Sequence, residues 1–224
     1  MNITKHILTE NPCYKAGKTI KVKGLLLHSV GCPQPSAMVF VKSWNNSDKK
    51  VCVHAFIDGN TGEVYQALPW DIRAWHSGGK LNDTHIGIEM CEPNCIKYTS
   101  GSKFTCSDKA KATAIVERTY KSAVELFAHL CTEFALNPLE DGVILSHSEG
   151  YKRGLASNHG DPEHLWKGLN LPYTMDGFRQ DVKAAMNPTL YRVQVGAFAN
   201  EQNAKNLLEK LKRAGFDGFI TKRT

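Results

Sequence analysis

Residues 22–30 read VKGLLLHSV. An apolar run this short, broken by Gly31 to Pro35, has the length of a strand, and its unbroken Leu25–Leu26–Leu27 core reads as a buried central one. It ends on His28. Working outward, Ser36 can cap a helix running to about Asn46. KVCVHAFID (50–58) and EVYQAL (63–68) flank GNTG and are expected to form a hairpin. HIGIEM (85–90) reads as another strand, with Ile86, Ile88 and Met90 on one face and Gly87 and Glu89 on the other. Residues 107–136 hold the longest helical pattern: Ile115, Val116, Thr119, Ala123, Leu126, Phe127 and Leu130 recur at helical spacing, and Asn137-Pro138 is the expected stop. VILSH (143–147) reads as a strand ending on His147, followed by a loop to about Gly160, and 175–186 as a closing helix. Strands interleaved with helices predict an α/β fold.

Composition narrows the function classes. The chain has 224 residues, 42% apolar and 22% charged, with 28 Lys and Arg against 22 Asp and Glu, a formal net charge of +6. That balance excludes a disordered or collagen-like chain. No apolar run reaches the roughly 18–20 residues of a membrane-spanning helix, so no membrane insertion is expected. The opening MNITKHILTENPCYKAGK lacks the apolar stretch of a secretory signal. Seven cysteines at 13, 32, 52, 91, 95, 106 and 131, with no CxxC pair, point to reduced thiols. The CxxxC of Cys91 and Cys95 lacks a second pair at structural-zinc spacing. Residues 190–224 carry seven Lys or Arg and three acidic residues. This reads as a solvated helix face; no paired aromatic and basic motif suggests nucleic acid.

Chemistry concentrates at strand ends. In open α/β sheets, sites gather at the carboxyl ends of strands, where His28 and His147 fall. Asp161 follows His147 by fourteen residues, in a loop able to fold back over the same edge. Two imidazoles and one carboxylate would leave zinc an open fourth position for water; ordinary polar residues at strand ends are the alternative. Glu89 lies mid-strand among apolar residues, a costly place unless it is paired with a Lys or Arg or put to use. Taking a proton from metal-activated water would be such a use.

Four stretches in order, LLLHSVG, VCVHAFIDGNTGEVYQALPWDIRAWHSGG, NDTHIGIEM, and ILSHSEG followed by SNHGDPEHLW, resemble the zinc-dependent N-acetylmuramoyl-L-alanine amidases of the amidase-2 family, whose fold is shared with peptidoglycan recognition proteins. The resemblance covers about residues 20 to 187 and implies a central mixed sheet flanked by helices. It implies Zn²⁺ held by His28, His147 and Asp161, with Glu89 as the catalytic glutamate. His159 stands where many relatives carry a lysine facing the scissile carbonyl. A titrating imidazole there replaces a fixed cation; alternatively, His159 is itself a ligand with Asp161 behind it. Trp75 and His76 in RAWHSGG, and His54 in VHAFID, fall where relatives line the substrate groove.

Asn187-Pro188-Thr189 is the best boundary: residues 1–187 form the amidase domain, 188–189 a short linker and 190–224 a separate module. LYRVQVGAF alternates like a strand, Asn200 caps a helix ended by Gly215, and FDGFI reads as a second strand. YRVQVGAF and LLEKLKRAGFDGFI resemble the start of a SPOR domain, a peptidoglycan-binding module, of which about half is present. Together the resemblances imply hydrolysis of the amide between N-acetylmuramic acid and L-alanine. The expected partner is peptidoglycan, both glycan strand and stem peptide, bound by a monomer. The expected setting is a cell-wall endolysin or autolysin, made in the cytoplasm and released by lysis. A non-catalytic peptidoglycan receptor and a zinc peptidase cutting within the stem peptide are the rival classes.

Overall fold

The structure is a computed structural model that describes residues 2–187 and 193–222. Its strands are β1 (Ile3–Lys5), β2 (Gly24–Ser29), β3 (Ala55–Ile57), β4 (Val64–Gln66), β5 (His85–Met90), β6 (Ile96–Ser100), β7 (Lys103–Cys106) and β8 (Ile144–Ser146). The helices are α1 (Pro12–Ala16), α2 (Ala37–Trp44), α3 (Lys109–Glu133), α4 (His147–Lys152), α5 (Glu163–Gly168), α6 (Met175–Met186) and α7 (Glu201–Arg213). Six strands make one sheet in the order β1-β4-β3-β5-β2-β8, and β6 and β7 form a separate hairpin. Within the six-stranded sheet only β3 and β4 pair antiparallel, so that sheet is mixed.

The alternation of side chains along β2 and β5 creates two unlike faces. Leu25, Leu27, Ile86, Ile88 and Met90, with Ala55 and Ile57 of β3, pack against the apolar stripes of α3 and α6. The opposite face carries Leu26, His28, Gly87 and Glu89, the last two as the alternation predicts. Farther along that face Phe56 stacks on Phe40 of α2, ring centroids 5.4 Å apart. All six residues of β2 are buried, as an apolar strand between two parallel neighbours requires.

Several boundaries differ from expectation for local reasons. Helix α3 starts at Lys109 because the Asp108 side chain accepts from the Lys111 N–H at 2.9 Å. It ends at Glu133, ahead of the Asn137-Pro138 stop: Ala135 takes φ +52° and the Leu136 N–H reaches back to the Cys131 carbonyl at 2.8 Å. Strand β8 stops at Ser146, whose side chain accepts from the Glu149 N–H while Glu149 accepts from the Ser146 N–H. This capping box makes His147, expected to end the strand, the first residue of α4, whose remaining residues fall where a loop was expected. The expected hairpin forms, but with three residues a side, Ala55 opposite Gln66 and Ile57 opposite Val64. Before it, Cys52 bridges to Trp75 instead.

The chain divides into two compact units, Met1–Pro188 and Thr189–Thr224. In the second, the Asn200 side chain accepts from the Gln202 N–H at 2.8 Å to start α7, and Gly215 takes φ +85° after its end. The strands expected at 190–198 and 216–220 do not form among the described residues; 190–192 lie outside them. Val193 and Phe219 are largely exposed, and without a neighbouring strand to accept their N–H groups these segments gain no ladder.

Glu149 ties the unit's interior together: its carboxylate accepts from Ser146 N–H and from both Arg179 Nη atoms, at 2.9 and 3.0 Å. Glu149→Ala is expected to cost about 1 kcal/mol, read as a lowered urea midpoint, by removing the bond to Ser146 N–H and leaving Arg179 only the Ile144 carbonyl and Asp176.

Candidate metal centre

His28 sits near the carboxyl end of β2, and the parallel pairing to β5 sets it beside Glu89. His147 opens α4 directly after the adjacent β8. Asp161 returns across the same edge, where its backbone carbonyl accepts from Ser148 N–H at 3.3 Å and its Oδ2 from Ser29 N–H at 3.3 Å. The three side chains converge. His28 Nδ1 lies 3.0 Å from His147 Nδ1 and 3.2 Å from Asp161 Oδ2, and His147 Nδ1 lies 3.6 Å from Asp161 Oδ1. All three residues are buried, and theirs is the one grouping of metal-ligating atoms among the described residues. Burial and the neighbouring His28 push His147 down to about 4, against the pull of Asp161. Burial pushes Asp161 up, but the neighbouring His28 and His147 outweigh this and hold it below the usual carboxylate range. Two nitrogens facing one another beside an ionised carboxylate, away from water, suit a divalent cation of zinc's ligand preference.

Around this centre the other candidate residues separate. Glu89 Oε2 is buried without a hydrogen-bond partner. Burial, then the charges of Asp161 and Glu92, push its carboxyl well above the usual range. His159 is exposed; its ring lies 4.4 Å from that of His147, and its Nδ1 is 3.1 Å from Ser157 Oγ. It stands outside the metal grouping, which takes Asp161. His76 is half-buried against His28, with Nδ1 2.9 Å from His28 Nε2. Its ring lies over Gly87, where any Cβ would collide with it. Trp75 is half-buried and packs on the cluster around Phe40 and Phe56. His54 is fully buried. Its Nε2–H donates to the Ile72 carbonyl at 2.8 Å and its Nδ1 accepts from Gly87 N–H at 2.9 Å. Burial lowers it to about 4. With both nitrogens spent on backbone, His54 ties the start of β3 to β5 and to the loop at Ile72 and does not face a groove, contrary to the expectation.

Comparison with known proteins now decides the family. The profile of the N-acetylmuramoyl-L-alanine amidase family matches residues 18–164, and that of the SPOR domain residues 179–224. The chain belongs to the N-acetylmuramoyl-L-alanine amidase family. Among solved structures, the hydrolase AmiA of Staphylococcus aureus, solved with its ligand, is 18% identical at a TM-score of 0.63, with 83% of each chain covered. An endolysin from Bacillus subtilis is 20% identical at a TM-score of 0.55, covering 81% of this chain and 99% of its own. The PlyG catalytic domain is 19% identical at 0.57, covering 86% and 100%. These likenesses show the fold. No curated protein matches the chain in sequence. An amidase domain with a C-terminal SPOR domain acts on the cell wall, and among the described residues no helix is long and apolar enough to cross a membrane.

This amidase also holds a buried acid that sequence reasoning passed over. Glu92, fully buried, accepts from the Gly31 N–H at 2.9 Å and from the Tyr98 hydroxyl at 2.7 Å, and that hydroxyl lies 2.6 Å from His164 Nε2. Tyr98 comes from the β6–β7 hairpin and His164 from α5, so the acid ties both to the end of β2. Its one sequence signal is its position three residues after Glu89. Burial pushes Glu92 up to about 7, while Tyr98, Ser29 and Gly31 pull it down. A carboxyl raised in the fold contributes stability present below its unfolded value and lost as pH rises through the folded one. In metal-free protein, Glu92→Gln should therefore gain on the parent between pH 4.5 and 7, by up to about 3 kcal/mol, in urea titrations across that range.

Proposed function

We propose that this chain hydrolyses the amide between N-acetylmuramic acid and L-alanine with Zn²⁺ held by His28, His147 and Asp161. The observation that carries the reading is the convergence of those three groups beside a carboxyl, Glu89, whose Oε2 has no partner. Zinc bound there supplies Lewis-acid polarisation of a carbonyl oxygen and lowers the pKa of water. The residues of this chain do the rest. Glu89, neighbour of His28 across the strand pair, takes the proton of the attacking water and delivers it to the departing L-alanine nitrogen; its raised affinity for protons fits both halves of that transfer. His159, at the open side of His147, donates to the developing oxyanion when protonated. Trp75 and His76 form the wall of the site on the Cys52 side, with His76 working from behind His28.

The boundary proposed after α6 is supported by Phe178 and Val182 of that helix, which are buried in the core of the first unit. The SPOR likeness, matched over residues 179–224, begins within that helix, and its part beyond 189 serves as the contact with glycan. All three proposed metal ligands and Glu89 come from one chain, so the site needs no residue from a second copy.

Glu89→Gln is expected to keep about one zinc per chain while losing activity by at least 100-fold, measured as L-alanine amino groups released from purified cell walls. Mass spectra of the parent's products should show intact stem peptides beginning at L-alanine. Shorter peptides would mark a peptidase, and zinc binding without any product would mark a receptor.

A further inference from the structure

The metal-site reading leaves open why both imidazoles present Nδ1. Each His ring carries two nitrogens, and a neutral ring offers a lone pair on only one of them. The choice is set by what the other nitrogen meets. Behind His28, with both rings neutral, the chain of bonds has one solution. The His85 backbone carbonyl, 3.1 Å from His76 Nε2, can only accept, so that nitrogen carries hydrogen. Neutral His76 then offers its Nδ1 as acceptor, and His28 Nε2, 2.9 Å away, donates to it. The lone pair of His28 is left on Nδ1, facing Asp161 and His147.

Behind His147 a hydroxyl does the same work. Ser157 Oγ lies 3.2 Å from the Ser77 carbonyl, which takes its single hydrogen. The hydroxyl oxygen is then an acceptor, and it receives His147 Nε2–H at 3.2 Å and His159 Nδ1–H at 3.1 Å. His147 keeps its lone pair on Nδ1 as well. The two arms share one anchor: Asn82 Oδ1 accepts from His76 N–H at 2.9 Å, Ser77 N–H at 2.8 Å and Ser77 hydroxyl at 3.0 Å. Ser157 N–H adds a further bond to the Ser77 carbonyl at 2.8 Å.

We propose that His76 and Ser157, anchored together through Ser77 and Asn82, are positioning residues that fix both histidine ligands in the Nε2–H tautomer and so present two Nδ1 lone pairs to the metal. The inference rests on the metal-site reading above. Ser157 has the larger reach, since through His159 it links the tautomer of a ligand to the ring that faces substrate.

The test compares the full chain with His76→Ala, Ser157→Ala and Ser157→Thr, the last keeping a hydroxyl. Zinc affinity is measured by competition with a chromophoric chelator. Each alanine variant should bind zinc roughly 10- to 100-fold more weakly, and Ser157→Thr should recover most of the loss. Long-range ¹H–¹⁵N correlation spectra of the histidine rings in metal-free protein give a second readout, which a merely structural role would not move. In the parent, His28 and His147 should both appear as Nε2–H tautomers, and in Ser157→Ala the His147 signals should shift toward a mixture. Parent-like zinc affinity in both alanine variants would overturn the proposal, as would an Nδ1–H ring at His28 or His147 in the parent. A parent that binds no zinc sinks the metal-site reading itself, whatever its tautomers. If His76→Ala fails to fold, the parent spectrum and the Ser157 pair decide alone.

Discussion

Two imidazole nitrogens held 3.0 Å apart inside a protein repel unless something positive lies between them, and the rest of the fold is organised to hold them there. Each ring arrives by a separate route. His28 is carried on a strand buried over its whole length, which gives it almost no freedom to withdraw. His147 is carried on the first turn of a helix whose start is set by the Ser146–Glu149 capping box. Because β8 pairs with β2 in parallel, from Leu25 opposite Ile144 to Leu27 opposite Ser146, the residue after each strand segment lands on the same edge. Asp161 then closes the third side, its carboxylate reaching the Ser29 N–H as well as the rings.

The same edge concentrates negative charge. Glu89 feels Asp161 and Glu92, Glu92 feels Asp161, and for both glutamates burial is the larger force raising the carboxyl. Three carboxyl groups in a dry place cannot all ionise cheaply. The amidase answers this differently at each. Asp161 is kept ionised by the imidazoles, Glu92 is surrounded by hydrogen-bond donors, and Glu89 is left with a bare oxygen. Only the last is free to exchange protons with something that enters the site, which is why its isolation reads as chemistry and not as a packing fault.

How much of this could be read in the residues depended on whether their periodicity was strong. LLLH, HIGIEM and the α3 stripe announce themselves because burial on one or both faces demands apolar residues at fixed spacing. Histidines at two strand ends are by themselves a weak signal, and it is the family resemblance that singles out His28, His147 and Asp161 as the ligand set. What escaped was decided by short-range hydrogen bonding: the capping box that turns VILSH into a strand plus a helix, and the early end of α3 at a left-handed Ala135. The β6–β7 hairpin escaped because its residues are mostly half-exposed and carry little apolar pattern. The direction of a ring is harder still. His54 and His76 stand in similar-looking stretches, yet one spends both nitrogens on backbone and the other hands one to a metal ligand. Nothing in the spacing separates them, because the difference lies in which carbonyl each ring meets.

Strand β5 shows how one short motif serves both layers. Its even positions, Ile86, Ile88 and Met90, fill the core under α3. Its odd positions form the site face, and each does something different. His85 packs over Gly24 and donates to the Gly142 carbonyl at 2.9 Å, closing the far end of the sheet. Gly87 contributes no side chain, and that absence is its function: the space above it holds the His76 ring, while its N–H holds His54. Glu89 supplies the carboxyl. An alanine at 87 would keep the strand and its core face, yet push His76 away from His28. In this fold, then, a residue without a side chain constrains the candidate metal centre, because it sets where the ring behind His28 can stand.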